Sequence, residues 1–137
     1  MTFFARQDIG RLYILKMVLP DNTIVHKIGM CNTDRVQDRM MEILRSWFMQ
    51  YRFVPYTELR LSIETGYPKE FEAFIHKVLA PKRFIPHKKV SGGTEMFTDI
   101  NEFRLIHYLK AFNEDNFKEG LNLTDNECSG LLHLICP

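Results

Sequence analysis

Hydrophobic and polar positions fall into blocks of distinct period along the chain. Between Arg11 and Gly29 two β-prone runs, Leu12-Tyr13-Ile14-Leu15 and Lys27-Ile28-Gly29-Met30, flank the turn-forming Pro20-Asp21-Asn22. They predict two antiparallel strands joined by a turn. Gly29 sits late in the second run, where a backbone without Cβ can bend or approach a ligand, so it is a candidate floor for a site. The polar loop Cys31-Asn32-Thr33-Asp34 is rich in helix-starting residues, and a helix is expected from near Asp34. In it Val36, Met40, Ile43 and Trp47 recur at spacings of four, three and four, the stripe of a helix facing a core. Arg39 falls at the edge of that stripe, where a guanidinium can bury its stem and keep its head at a cleft; Arg35 and Arg45 lie further out.

Tyr51 to Tyr56 is aromatic and interrupted by Pro55, which predicts a strand-like connection. From Thr57 to Glu64, Leu59, Leu61 and Ile63 alternate with Glu58, Arg60, Ser62 and Glu64, the pattern of a third strand with one buried face. Thr65-Gly66-Tyr67-Pro68 breaks it and sets Pro68 in the first turn of a new helix over 68–79. That helix is expected to bury Phe71, Phe74, Ile75 and Val78, with Glu70 and Glu72 on opposite flanks, and periodicity does not choose between them. Asp99 to Phe112 reads as a further helix, with Ile100, Phe103, Ile106 or His107, and Leu109 at helical spacing. Thr124 and Glu127 have capping-box spacing ahead of Leu131, Leu132, Leu134 and Ile135. The expected fold is α+β: a small three-stranded antiparallel sheet flanked by helices over 1–112, with a C-terminal helical tail over 113–137. The tail must bury its leucines either on its own domain or on a second subunit, as a homodimer.

Composition narrows the function classes. With 137 residues, 45% of them hydrophobic, the chain can build one domain with a real core. A formal net charge of +1 argues against binding nucleic acid by bulk electrostatics alone, though a local patch could still do it. Ala80 to Gly93 is such a patch, carrying Lys82, Arg83, Lys88 and Lys89 with no acidic residue. With Phe84, His87 and the flexible Ser91-Gly92-Gly93, it is a candidate phosphate-contacting loop. Three cysteines, an odd number without a dense framework, favour a reducing compartment. Cys128, His133 and Cys136 do not have the spacing of a standard zinc site, which wants four ligands. No stretch approaches the roughly 20 apolar residues that cross a membrane. Met1 to Gly10 contains Arg6 and Asp8 and lacks the apolar middle of a signal peptide, so a cytoplasmic protein is expected.

Tyr13 in a strand, Ile28-Gly29 closing the next, arginines just beyond and Glu72 on a later helix together resemble the GIY-YIG nuclease pattern. The nearer likeness is to a phage and bacterial branch whose second motif reads Lys-Ile-Gly, here Lys27-Ile28-Gly29. Its later segment reads Glu-x-x-x-His followed by Glu-x-Phe, here Glu72 with His76 and Glu95 with Phe97. The resemblance runs from about Arg11 to about Phe112. It implies a metal-dependent endonuclease acting on DNA, with Mg²⁺ or Mn²⁺ as cofactor, located in the bacterial host's cytoplasm if phage-encoded.

The resemblance also selects Glu72 over Glu70, as the carboxylate that holds the metal. It implies that Arg39 clamps the scissile phosphate, with Arg35 as the alternative, and that His76 donates to a phosphate or leaving group. Arg35, Lys82, Arg83, Lys88 and Lys89 would contact the DNA. Tyr13 would orient or deprotonate the attacking water. The wider family has a tyrosine where Lys27 stands, so Tyr13 and Lys27 both remain groups that could assist the nucleophile. The other reading is a nuclease-like fold that binds DNA or a protein partner without cutting.

Overall fold

The computed structural model describes residues 9–32, 35–112 and 123–136. The expected hairpin forms β1 (Gly10–Val18) and β2 (Ile24–Cys31), antiparallel, with Tyr13 opposite Gly29 and Leu15 opposite Lys27. Its turn follows from local chemistry. Asn22 takes a left-handed φ of 69°, which asparagine tolerates, and the Asp21 carboxylate accepts the Thr23 N–H at 3.0 Å. On the far side of β1 lies β3 (Tyr56–Thr65), also antiparallel.

Two short strands, β4 (Arg83–Phe84) and β5 (Met96–Phe97), extend the sheet past β2. The strand order is therefore β3-β1-β2-β5-β4, five antiparallel strands where three were expected. A two-residue strand is too short to show a period in sequence. Tertiary pairing makes these, with Met96 opposite Lys27 and Phe97 opposite His26.

Among the described residues four α-helices cover the sheet: α1 (Val36–Tyr51), α2 (Pro68–Leu79), α3 (Glu102–Ala111) and α4 (Asp125–Ile135). The strict alternation of the strands splits the apolar residues between two clusters. Tyr13, Leu15, Met17 and Val25 pack with Ile43 and Trp47 of α1. Leu12, Ile14 and Ile28 pack with Phe71, Ile75 and Val78 of α2, Leu105 and Leu109 of α3, and Cys128 and Ile135 of α4. Burying each large aliphatic or aromatic side chain contributes about 1.5–3 kcal/mol, which is what fixes α1 and α2 against opposite faces.

The helix over Pro68–Leu79 has the bounds and buried face that its sequence predicts. Three other expectations are corrected. The start near Asp34 lies outside the described residues; the described helix begins at Val36 and runs through Tyr51, where Arg52 ends it at a left-handed φ of 63°. Tyr51 is thus helical and not part of a strand-like connection. In β3 a bulge shifts the register between Ile14 and Leu15, so Leu15 pairs with Leu59 while Ile14 pairs with Leu61. The extra residue breaks the alternation, and Leu59 is 44% exposed where a buried position was expected. The helix expected from Asp99 starts at Glu102 instead, because Asp99 takes a φ of 56° and the Asn101 side chain caps by accepting the Arg104 N–H. Its buried residues are Leu105 and Leu109, and Phe103 is 81% exposed.

At the C-terminus the capping box forms as its spacing predicts. Thr124 Oγ1 accepts the Glu127 N–H, and Glu127 Oε1 accepts the Thr124 N–H. Cys128, Ile135 and Cys136 join the same core as α2 and α3, while Leu134 stays exposed. No described helix is long and apolar enough to cross a membrane.

Candidate active site

The strand alternation that buries Tyr13 and Leu15 also turns Lys27 and Gly29 toward the α1 side of the sheet. A Cβ built on Gly29 would lie 2.7 Å from the Tyr13 hydroxyl, 2.9 Å from Tyr13 Cζ and 2.7 Å from Lys27 Nζ. The tyrosine ring therefore drapes over a bare backbone, and two polar ends meet where a side chain would otherwise be. The Lys27 ammonium sits 5.6 Å from the centre of the Tyr13 ring.

Both groups are deeply buried. Burial pushes the Tyr13 phenol up to about 12; the nearby Arg39 guanidinium pulls the other way without overcoming it, and Cys31 and Glu72 add to the rise. Arg39 acts on the hydroxyl electrostatically, yet no hydrogen bond of normal geometry satisfies that oxygen. Lys27 has no exposed surface at all. Burial drives it down toward about 7, Arg39 adds to that, and Glu72 opposes it. Its ammonium is in contact with the Glu95 carboxylate.

Arg39 is half-buried at the stripe edge, as its position predicts. Its Nη1 donates to Glu42 Oε2 and to Ser91 Oγ, both at 3.0 Å. Arg35 is exposed and turned to Glu42 at 3.3 Å and Asp38 at 3.8 Å. Of the two arginines, then, Arg39 stands beside Tyr13 and Lys27.

The helix α2 packs on the opposite face of the sheet, and β5 pairs with only two residues of β2. His76 Nε2 donates to the Ile28 carbonyl at 2.7 Å and thereby docks the helix on that strand. One turn earlier, Glu72 comes within electrostatic reach of Tyr13, Lys27 and His76. Burial holds His76 below the usual histidine value, against the Ile28 bond and the Glu72 charge, so the ring is neutral at pH 7. With its Nε2 hydrogen committed to Ile28, its Nδ1 is the acceptor.

The basic residues divide. Arg83 is exposed and lies close enough to His76 to influence it, and Lys82 is half-buried beside it. Lys88 is tied back to α1, donating to the Gln50 carbonyl at 3.0 Å over the Tyr51 ring. It is thereby held roughly 16 Å along the helix from Arg39. Lys89 is exposed next to it.

A hard divalent cation would have Glu72 as its protein ligand here. Among the described residues no hydrogen bond or ion pair occupies the Glu72 carboxylate, and Mg²⁺ commonly takes one or two carboxylates with waters and substrate oxygens filling the remaining positions. No group of three or more His, Cys, Asp or Glu that could hold a metal by protein ligands alone occurs among the described residues. Sequence reading did not foresee the contacts of Glu95 with Lys27 and of Ser91 with Arg39. Their only signal was the Glu95-x-Phe97 segment and the glycines before it. Comparison with family models, with curated proteins and with solved structures found no match to this chain.

Proposed function

We propose that this chain is a metal-dependent endonuclease of GIY-YIG type that hydrolyses DNA phosphodiester bonds. The observation that carries the reading is the meeting of Tyr13 and Lys27 at Gly29, with His76 bonded to the neighbouring Ile28 carbonyl and with Arg39 and Glu72 within electrostatic reach, drawn from four separate elements. Phosphodiester hydrolysis needs cations where negative charge develops, an acceptor for the proton of water and a hydroxyl to orient it. Arg39 clamps the scissile phosphate through its planar fork, and Lys27 adds positive charge beside it. Tyr13 stays protonated at neutral pH and orients the attacking water by hydrogen bonding. His76, neutral with an acceptor Nδ1, is then the better-suited group to receive a proton. Glu72 holds Mg²⁺ or Mn²⁺, which when bound polarises a phosphoryl oxygen and acidifies water. Exposed Arg83 and half-buried Lys82 flank the DNA path, with Lys88, Lys89 and Arg35 at its margins.

A second reading is a nuclease-like module that binds DNA or a protein partner without cutting. It is favoured by one observation: the tyrosine is buried with a raised pKa and the lysine is already engaged by Glu95. Incubation of supercoiled plasmid with the purified chain and Mg²⁺ or Mn²⁺ separates the two. The nuclease reading expects nicking that stops on chelation, falls strongly in Arg39→Ala and survives in Arg35→Ala. Retained DNA binding with no nicking across metals and substrates would favour the second.

A further inference from the structure

The segment from Val90 to Glu95 lies over the site and grips both of its buried or half-buried cations. Ser91 Oγ accepts from Arg39 at 3.0 Å, and the Ser91 N–H donates to Ser46 Oγ at 2.7 Å, fastening the segment to α1. Gly92 follows with a φ of 73°, and a Cβ built on it would overlap Lys27 Cε. Only glycine lets the chain press this closely on the lysine. The next turn, Gly93–Glu95, carries the Glu95 carboxylate onto Lys27 Nζ, and Met96 then pairs opposite Lys27 in the sheet.

We propose that Glu95 is a positioning residue that keeps Lys27 charged and fixed beside Gly29 in the site. Its consequence for catalysis rests on the nuclease reading; the hold on Lys27 does not. An ammonium with no exposed surface persists only if it is paired. The charged and titratable groups facing it are Tyr13 from β1, Arg39 from α1, Glu72 and His76 from α2, and Glu95 from the turn before β5. Arg39 works against the ammonium. Glu72 favours it, but in the proposed reaction that carboxylate is committed to the cation. Glu95 is the carboxylate that remains. Its side chain keeps 26% of its surface exposed, so it also links the sealed lysine to solvent.

The test follows the side-chain nitrogen and Cε resonances of Lys27 with pH in the full chain, labelled on lysine, for the native protein, Glu95→Gln and Glu95→Asp. Native Lys27 is expected to titrate below free lysine, lowered by burial, yet to keep an ammonium fraction at neutral pH through its pairing with Glu95. In Glu95→Gln its titration midpoint falls by about one to three pH units, the effect of losing an adjacent opposite charge, while Glu95→Asp stays near native. The alkaline limb of DNA cleavage moves to lower pH with it, because the charged form is lost earlier. A purely structural role would lower cleavage at every pH without moving the limb. A midpoint unchanged in Glu95→Gln, or a native Lys27 with no ammonium fraction left at pH 7, overturns the proposal. If Glu95→Gln does not fold, the native titration and Glu95→Asp still decide it. A midpoint that shifts in a protein that cuts no DNA keeps the role of Glu95 and removes the nuclease reading.

Discussion

Replacing Gly29 with alanine tests the floor of the site. The added methyl would stand 2.7 Å from the Tyr13 hydroxyl, 2.9 Å from Tyr13 Cζ and 2.7 Å from Lys27 Nζ, all far inside van der Waals contact. Far ends of side chains can often move aside, but here both are hemmed in. Tyr13 is 1% exposed within the cluster that includes Ile43 and Trp47, and Lys27 is sealed under Gly92. Overpacking of a filled interior costs about 1–3 kcal/mol. A change of one or two kcal/mol shifts the folded-to-unfolded ratio by a factor of about 5–30. In urea, with a slope of roughly 1–3 kcal/mol/M for a small protein, the midpoint should drop by about 1 M with the slope unchanged. Gly66→Ala is the control, because a Cβ there meets nothing within 4 Å and the residue needs no left-handed backbone. Urea unfolding followed by circular dichroism reads both variants, and plasmid nicking reads the displacement of Tyr13 and Lys27. Gly29→Ala with the stability and nicking of the Gly66 control would refute the close approach on which the site is built.

Three further outcomes follow from named contacts. Burial holds His26 and His76 below the ordinary histidine value of 6.5, so the unfolded chain takes up protons at these positions first as pH falls. Their contribution to stability is intact above about pH 6.5 and is lost below it, so the urea midpoint at pH 5.5 should lie below that at pH 7.5; equal midpoints would contradict it. Thr124→Ala removes the Oγ1 that accepts the Glu127 N–H, leaving the bond from the Thr124 backbone N–H to Glu127, and should cost about 0.5–2 kcal/mol, read by thermal unfolding and by faster amide exchange in α4. Arg83→Ala should reduce the log–log salt slope of DNA binding by about 0.9, one phosphate contact, whereas Lys88→Ala, already tied to the Gln50 carbonyl, should change it less. Equal slopes for the two variants would remove Arg83 from the DNA path.

Much of this architecture is legible in the order of residues because local chemistry and tertiary packing agree there. The hairpin is marked by its turn, α2 by Pro68 and four buried apolar positions, and α4 by Thr124 and Glu127. Arg39 could be placed at a cleft margin from its phase on α1 alone. What escaped the pattern depends on distant partners. The two-residue strands β4 and β5 exist only because β2 offers them an edge, and the bulge that turns Leu59 outward is set by pairing with β1. The network in which Glu102 accepts from Arg60 at 2.8 Å and pairs with buried His26 at 3.0 Å joins residues from β2, β3 and α3. In that network burial pushes Glu102 up, but its bonds from Arg60 and His26 outweigh it and leave it below the usual range. Lys27 reads in sequence as one polar residue within a strand. Its burial follows from Gly92 and Glu95, more than sixty residues later, and no local period carries that information.

Cleavage of supercoiled plasmid in Mg²⁺ or Mn²⁺ by the native chain beside Glu72→Ala tests the meeting of β1, β2, α1 and α2 as a phosphodiester site most directly. Glu72 is half-buried and enters no ion pair among the described residues, so its removal should leave the unfolding free energy within about 0.5 kcal/mol of native, as for a surface substitution. Native nicking that vanishes in a normally folded Glu72→Ala is the expected result. Nicking that persists undiminished in the variant would contradict the assignment of that carboxylate and of the site built around it.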